Sequence, residues 1–175
     1  MMRRLVALLS LACACALAHA APSQVEQAVP QARLAGSGTF TWFTMKIYFA
    51  ELWVGPQGYQ AHAPFALDLR YVRKIDGAKI AEASAEQMAK IGAGSAAQRA
   101  AWLVQMKAIF PNVNEGNCIT GVHVPGEGAR FYLDGKLLGS VADPAFARAF
   151  FGIWLDPATT APALRTALLA NAAPP

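Results

Sequence analysis

From residue 34 to residue 54 the chain is dense in Thr, Phe, Trp, Ile, Tyr and Val and carries no helix-start signal. That pattern predicts two adjacent strands, or one long bent one, with both faces largely buried. Gly55-Pro56-Gln57-Gly58 forces a turn. Strict alternation follows over 65–74, where Phe65, Leu67, Leu69 and Tyr71 share one face and Asp68, Arg70 and Lys74 the other, which is expected to be wet. The period then changes. Asp76 is placed to cap a helix running to about residue 91, and Gly92, Gly94 and Ser95 interrupt it. Ser95 and Gln98 make a capping box for a second helix, in which Trp102, Met106 and Ile109 fall at helical spacing. Phe110-Pro111 stops that helix, because proline restricts the residue before it. Over 118–141 three short strands form a meander, turning at Pro125-Gly126-Glu127-Gly128 and at Asp134-Gly135, a strong hairpin signal. Asp143-Pro144 opens an aromatic helix through Phe146, Phe150, Phe151 and Trp154. A last helix carries Leu164, Leu168 and Leu169. The order of strands, two helices, strands, two helices predicts an α+β fold, an antiparallel β-sheet with a layer of helices on one face.

The first 20 residues follow another rule. Arg3 and Arg4 precede an apolar stretch over 5–17, and Ala18-His19-Ala20 supplies small residues for cleavage, so 1–20 reads as a secretory signal peptide. The apolar stretch is shorter than the roughly 20 residues a membrane span needs, and no stable membrane anchor is expected once it is removed. Cys13 and Cys15 lie within it, in surroundings that fit a lipid-attachment box poorly. Residues 21–32 carry Pro22 and Pro30 without apolar periodicity and are expected to form a flexible leader. The domain then occupies 33–170, and 171–175 form a frayed tail.

Composition narrows the chemistry. The whole chain carries a formal charge of +4, but the signal removes two of the 15 basic residues and none of the 11 acidic ones. With no basic run left, a nucleic-acid partner is not expected. Cys118 is the one cysteine outside the signal, so the exported chain has no internal disulfide and depends on its core. Its setting, Cys118-Ile119-Thr120-Gly121-Val122, reads as a strand in which the thiol is inert packing. His62, His123 and Cys118 fall at no metal-ligand spacing, so no metal is expected. Neither a phosphate loop nor a dinucleotide fingerprint is present, and no cofactor is expected. Ser37 sits in Gly36-Ser37-Gly38 at a strand start and lacks the Gly-x-Ser-x-Gly elbow of a hydrolase.

Several stretches, taken in order, go further. They are Gly36-Ser37-Gly38, Phe43-Thr44-Met45-Lys46-Ile47-Tyr48-Phe49-Ala50-Glu51-Leu52-Trp53-Val54, and Pro64-Phe65-Ala66-Leu67-Asp68-Leu69-Arg70-Tyr71. Further on come Phe110-Pro111, Pro125-Gly126-Glu127-Gly128, Asp134-Gly135 and the closing Phe146-Ala147-Arg148-Ala149-Phe150-Phe151-Gly152-Ile153-Trp154-Leu155. In this order and spacing the chain resembles the bacterial chalcone isomerase-like family of exported proteins, over roughly 34–169. The resemblance implies a large antiparallel sheet backed by helices with an apolar cleft between them. In plant enzymes of this fold the cleft closes a chalcone into a flavanone, and related non-catalytic members bind fatty acids. It also implies a periplasmic location.

The resemblance also places the family's site residues. The arginine that follows the glycine pair in the plant enzymes would fall at Phe40, and no Arg lies between Arg33 and Arg70. Thr44 matches the plant threonine of the next strand, and Thr159 loosely matches a C-terminal Ser or Thr. The plant Tyr, Lys and Asn of the following helix fall at Ile80, Ala83 and Gln87. These departures point to a binding protein for a small apolar or amphipathic, fatty-acid-like ligand, without chalcone isomerase activity. Phe40, Thr44, Lys46, Tyr48, Tyr71 and Trp154 are the candidate ligand-binding residues, with Lys46, on the face of Tyr48, as a possible carboxylate anchor. Two alternatives stay open: an isomerase or intramolecular lyase acting on an apolar substrate through other residues, and an interaction module whose cleft is filled by its own side chains.

Overall fold

The computed structural model describes residues 20–174, so the predicted signal peptide lies almost wholly outside the described residues. Six strands run in chain order as one antiparallel meander: β1 Arg33–Trp42, β2 Met45–Val54, β3 Phe65–Tyr71, β4 Cys118–Val124, β5 Gly128–Leu133 and β6 Lys136–Val141. Every neighbouring pair is joined by a short connection or by the excursion between β3 and β4. That excursion holds α2 Gly77–Lys90 and α3 Ala96–Ile109, and the chain closes with α4 Pro144–Leu155 and α5 Pro162–Leu168. These four helices pack on one face, where Leu52, Leu67, Met88, Met106, Phe131, Phe146 and Leu168 make a continuous core. The α+β architecture expected from the order of elements is the one observed.

Local chemistry sets the helix ends. Ser95 accepts from the Gln98 backbone N–H at 3.2 Å while the Gln98 side chain accepts from the Ser95 N–H at 2.8 Å, a complete capping box. Asp143 accepts from the Ala145 N–H at 2.8 Å at the head of α4, and also from Trp102 Nε1 at 2.8 Å, which ties α3 to α4. Asp76 occupies the N-cap of α2 without a side-chain cap bond; Asn112 accepts from the Gly77 N–H instead, at 2.9 Å.

Two expectations about the chain ends are corrected. Residues 21–32 are not a flexible leader: Ser23–Ala28 forms a short helix, α1, on the sheet face opposite the other four. Val25 and Val29, one helical turn apart, are buried there against Trp53, Ala66 and Val122. Two apolar residues among polar ones give too weak a periodicity to predict a helix, and tertiary packing supplies the rest. The tail is not frayed through 171–173 either. The Asn171 N–H donates to Ala35 O at 2.7 Å, Ala172 O accepts from the Tyr59 N–H at 2.8 Å, and the Arg33 guanidinium donates to the carbonyls of Asn171 and Ala173.

Covering by α1 also buries the first part of the outer face of β3, up to Asp68, while Arg70 stays exposed. Ser37, Glu51, Asp68, Thr120 and Tyr132 are paired strand to strand, so one polar row crosses the sheet. Asp68, expected on a wet face, is buried and accepts from Thr120 Oγ1 at 2.5 Å, and Thr120 in turn accepts from Gln24 of α1 at 3.2 Å. Burial pushes the Asp68 carboxyl above its ordinary range, against the opposing pull of the Thr120 hydroxyl, and neighbouring Glu51 adds to the rise. Burial likewise pushes the Cys118 thiol up to about 12, in keeping with an inert packing residue.

On the helix face the glycines of Gly36-Ser37-Gly38 have a packing role. A Cβ on Gly36 would lie 2.1 Å from Ala167 O, and one on Gly38 would lie 2.8 Å from Leu164 Cδ1. The last turn of α5 therefore rests directly on the backbone of β1. Gly36→Ala is expected to cost about 2–3 kcal/mol, as an unrelieved overpacking against backbone, read by urea denaturation. A second prediction concerns pH. A carboxyl whose folded pKa is raised contributes its stability at low pH and loses it as pH rises through the folded value. Asp68→Asn should therefore raise stability at neutral pH by about 1 kcal/mol, and flatten the decline that begins above about pH 4; denaturation midpoints across pH measure both.

Candidate functional site

Between α2, the C-terminal half of α4 and the β1–β4 part of the sheet lies an apolar cleft of about 290 Å³. Its floor is the sheet: Tyr48 from β2, Leu69 and Tyr71 from β3, and Ile119 from β4. Phe150, Ile153 and Trp154 of α4 form one wall, and Ile80, Ala83, Ser84 and Gln87 of α2 the other. Phe40, Trp42 and Ile47 close the end beside the β1–β2 hairpin. The rings are locked in place, with Phe40 stacked on Tyr48 at 5.1 Å, Tyr48 edge-on to Tyr71 at 5.8 Å and Phe150 edge-on to Trp154 at 5.3 Å. Trp154 Nε1 donates to Tyr48 Oη at 2.9 Å, so helix and sheet are joined through the cleft's polar atoms.

Burial pushes the hydroxyls of both Tyr48 and Tyr71 far above the ordinary tyrosine range, so both stay neutral. Among the cleft residues the formal charges are Lys79 and Glu86, both on the exposed rim of α2. Each is paired: Lys79 with Glu82 at 3.1 Å, and Glu86 with Lys90 at 2.8 Å. Glu82, also paired with Lys107 at 2.8 Å, is held below the ordinary carboxylate range by these two lysines. At the same rim Thr160 Oγ1 donates to Gln87 Oε1 at 2.6 Å. The arrangement is an aromatic slot with its charged groups at the mouth.

Of the six candidate ligand-binding residues, four converge: Phe40, Tyr48, Tyr71 and Trp154 all line the cleft. Thr44 and Lys46 do not. Thr44 sits in the two-residue turn between β1 and β2, exposed, rather than on a strand. Lys46 is exposed and outside the lining, although alternation from Tyr48 puts it on the same face. The reason is a bulge: Phe40 pairs with Tyr48 and Thr41 with Lys46, which leaves Ile47 as an extra residue. Ile47 and Tyr48 both face the cleft as a result. Thr159 is buried but is used structurally; its hydroxyl donates to Ile153 O at 2.6 Å and accepts from the Ala161 N–H at 3.2 Å. Ile80, Ala83 and Gln87, the positions that the resemblance gave for a plant Tyr, Lys and Asn, do line the cleft, with unlike side chains. Sequence reasoning missed Lys79, Ser84, Phe110, Ile119 and Thr160, which no local motif distinguishes from core or surface. Among the described residues no group of three or more His, Cys, Asp or Glu is placed to hold a metal ion.

A six-stranded antiparallel meander with helices over one face and an aromatic cleft between them defines an α+β fold of one sheet and one helical layer. The chain belongs to the chalcone isomerase-like family, whose model matches residues 18–170. A protein of Haemophilus influenzae described only as uncharacterized is 27% identical over 135 residues, covering 77% of this chain; the match spans 66% of that relative's length. Among solved structures, the crystal structure of an Arabidopsis thaliana fatty-acid binding protein superposes with a TM-score of 0.66 at 14% identity, over 83% of this chain and 91% of that one, a likeness of fold.

Tyr48→Phe should cost about 1–3 kcal/mol by leaving the buried Trp154 N–H without an acceptor. The loss should shrink when Trp154 is already Phe, as a double-mutant cycle in urea will read.

Proposed function

We propose that the protein binds a small apolar or amphipathic ligand with a fatty-acid-like chain in this cleft, and does not catalyse chalcone closure. The observation that carries the reading is an open aromatic slot whose interior holds no charged side chain. At about 30 Å³ per water-sized group, about 290 Å³ holds roughly ten such groups. That is room for a medium-length alkyl chain. A carboxylate inside would be left without a cation, so the chain enters and the head group stays at the hydrated mouth by Lys79, Gln87 and Thr160. The fatty-acid binding protein of the same fold lends support to this ligand class.

Chemistry in the cleft has little to work with. Phe40 stands where a polarising arginine would be, and Ile80 and Ala83 replace polar groups on α2. Tyr48 and Tyr71, shifted upward by burial, are the opposite of a base poised near neutral pH. The existence of the cavity argues against a module filled by its own side chains. We further propose that the chain is exported to the periplasm and cleaved after Ala20, a reading supported by the basic, apolar and small-residue order of 1–20.

The test is native mass spectrometry of the protein recovered from the periplasm of an expression host, followed by titration with decanoate and 1-decanol. The expected mass begins at Ala21 and carries a near-stoichiometric acyl ligand or takes up decanoate. Phe40→Arg should tighten decanoate binding about tenfold through a charge-assisted hydrogen bond while leaving 1-decanol near its original affinity. An empty protein that takes up neither compound would refute ligand binding.

A further inference from the structure

The β1–β2 hairpin is longer than the strand beside it. The last residue of β3, Tyr71, pairs with Tyr48, so Met45 and Lys46 of β2 and their partners Trp42 and Thr41 on β1 overhang the sheet. Six large apolar side chains are exposed among the described residues, and four of them, Trp42, Phe43, Met45 and Val72, gather at this end. Phe43 is 86% exposed, Trp42 49% and Met45 46%, and Trp42 and Phe43 meet edge to face at 5.3 Å. Val72 joins them because its N–H donates to Ile47 O at 3.1 Å.

Phe43 is also strained. It is the first residue of a two-residue turn and adopts φ 51°, a conformation that this turn position normally gives to glycine. A bulky residue held there is neither the natural turn former nor buried in the core. An exposed, preorganised aromatic tip is what a binding surface requires.

Charge identifies the partner. Lys46 follows the tip on β2 and is exposed. Arg73 lies against the tip, donating from Nη1 to Met45 Sδ at 3.1 Å, and Lys74 comes next on the exposed segment. The acidic residues of the adjoining segments are Asp76 and Glu115. An aromatic tip of Trp, Phe and Met flanked by basic side chains matches the boundary between headgroups and acyl chains of an anionic bilayer. Trp42 both belongs to the tip and lines the cleft, so a tip inserted in the bilayer would bring the hairpin end of the cleft against it.

We propose that the β1–β2 hairpin tip, centred on Trp42, Phe43 and Met45 with Lys46, Arg73 and Lys74 around it, is a docking element for anionic lipid membranes. Docking is shallow and reversible, and no described helix is long and apolar enough to cross a membrane. The docking does not rest on occupancy of the cleft, so failure of ligand binding and failure of docking are separate results.

The test uses vesicles of phosphatidylcholine, alone or mixed with phosphatidylglycerol, with co-sedimentation and tryptophan emission as readouts. Of the four tryptophans, Trp53, Trp102 and Trp154 are buried, so a blue shift on docking reports Trp42. The wild type should sediment with the mixed vesicles and blue-shift, more weakly as salt rises. Phe43→Asn should abolish both signals while its thermal midpoint stays the same or rises, since Asn tolerates the turn conformation. Lys46→Glu should weaken sedimentation roughly tenfold. Wild type that ignores anionic vesicles, or Phe43→Asn that binds them as well as wild type, would overturn the proposal. A wild-type dimer converted to monomer by Phe43→Asn would also overturn it, by assigning the tip to protein contact.

Discussion

The seating of α5 on β1 is a backbone-to-backbone contact, and much of the molecule's shape depends on it. Because Gly36 and Gly38 present no Cβ, the end of α5 approaches β1 as closely as its own carbonyls allow. The chain end beyond it is stitched to the same strand through Asn171 and Arg33. This fixes α5 over the first half of β1. The second half of that strand, from Phe40 to Trp42, has no helix above it, and α2 and α4 stand back across the gap. The cleft is what remains between α5, seated on the first half of β1, and α2 and α4 across the sheet.

What keeps the gap from collapsing is the size and rigidity of the rings around it. Phe40 on Tyr48, Tyr48 against Tyr71, and Phe150 against Trp154 hold one another at fixed distances, and the Trp154 to Tyr48 hydrogen bond sets the height of α4 above the sheet. The same bond satisfies two polar atoms that would otherwise oppose burial. The interior is therefore without formal charge, and the two charged residues that line the cleft, Lys79 and Glu86, sit at the rim in pairs. Such a site favours a ligand by area buried and not by charge recognised.

How far this was legible from the sequence depends on where the physics is local. Alternation, the Ser95 and Gln98 capping box, and the Asp134-Gly135 turn, in which both residues take positive φ, are rules of a few residues, and they gave the strands, helices and hairpins. The fold class followed from their order. Helix α1 was not legible, because Val25 and Val29 acquire their meaning only from Trp53, Ala66 and Val122 on another part of the chain. The wet face expected for β3 holds at Arg70 and Lys74 and fails at Asp68 for the same reason: α1 packs over that part of the sheet. At the cleft, the aromatic residues Phe40, Tyr48, Tyr71 and Trp154 were readable as large apolar groups on the correct elements. The α2 wall was reached only through family resemblance, since Ile80 and Ala83 carry no signal of their own.

Lys46 shows most sharply why a sequence can mislead about a site. Period-two reasoning places it beside Tyr48, and only an extra residue in the pairing, Ile47, moves it away. A bulge leaves little trace in composition, yet it flips every side chain beyond it. Its effect here runs in both directions along β2. On the sheet side, Ile47 and Tyr48 together complete the cleft floor and end. On the hairpin side, Lys46 leaves the cleft and becomes a basic neighbour of Met45 and Phe43. One inserted residue thus keeps a lysine out of the cleft and adds its charge to the hairpin end instead.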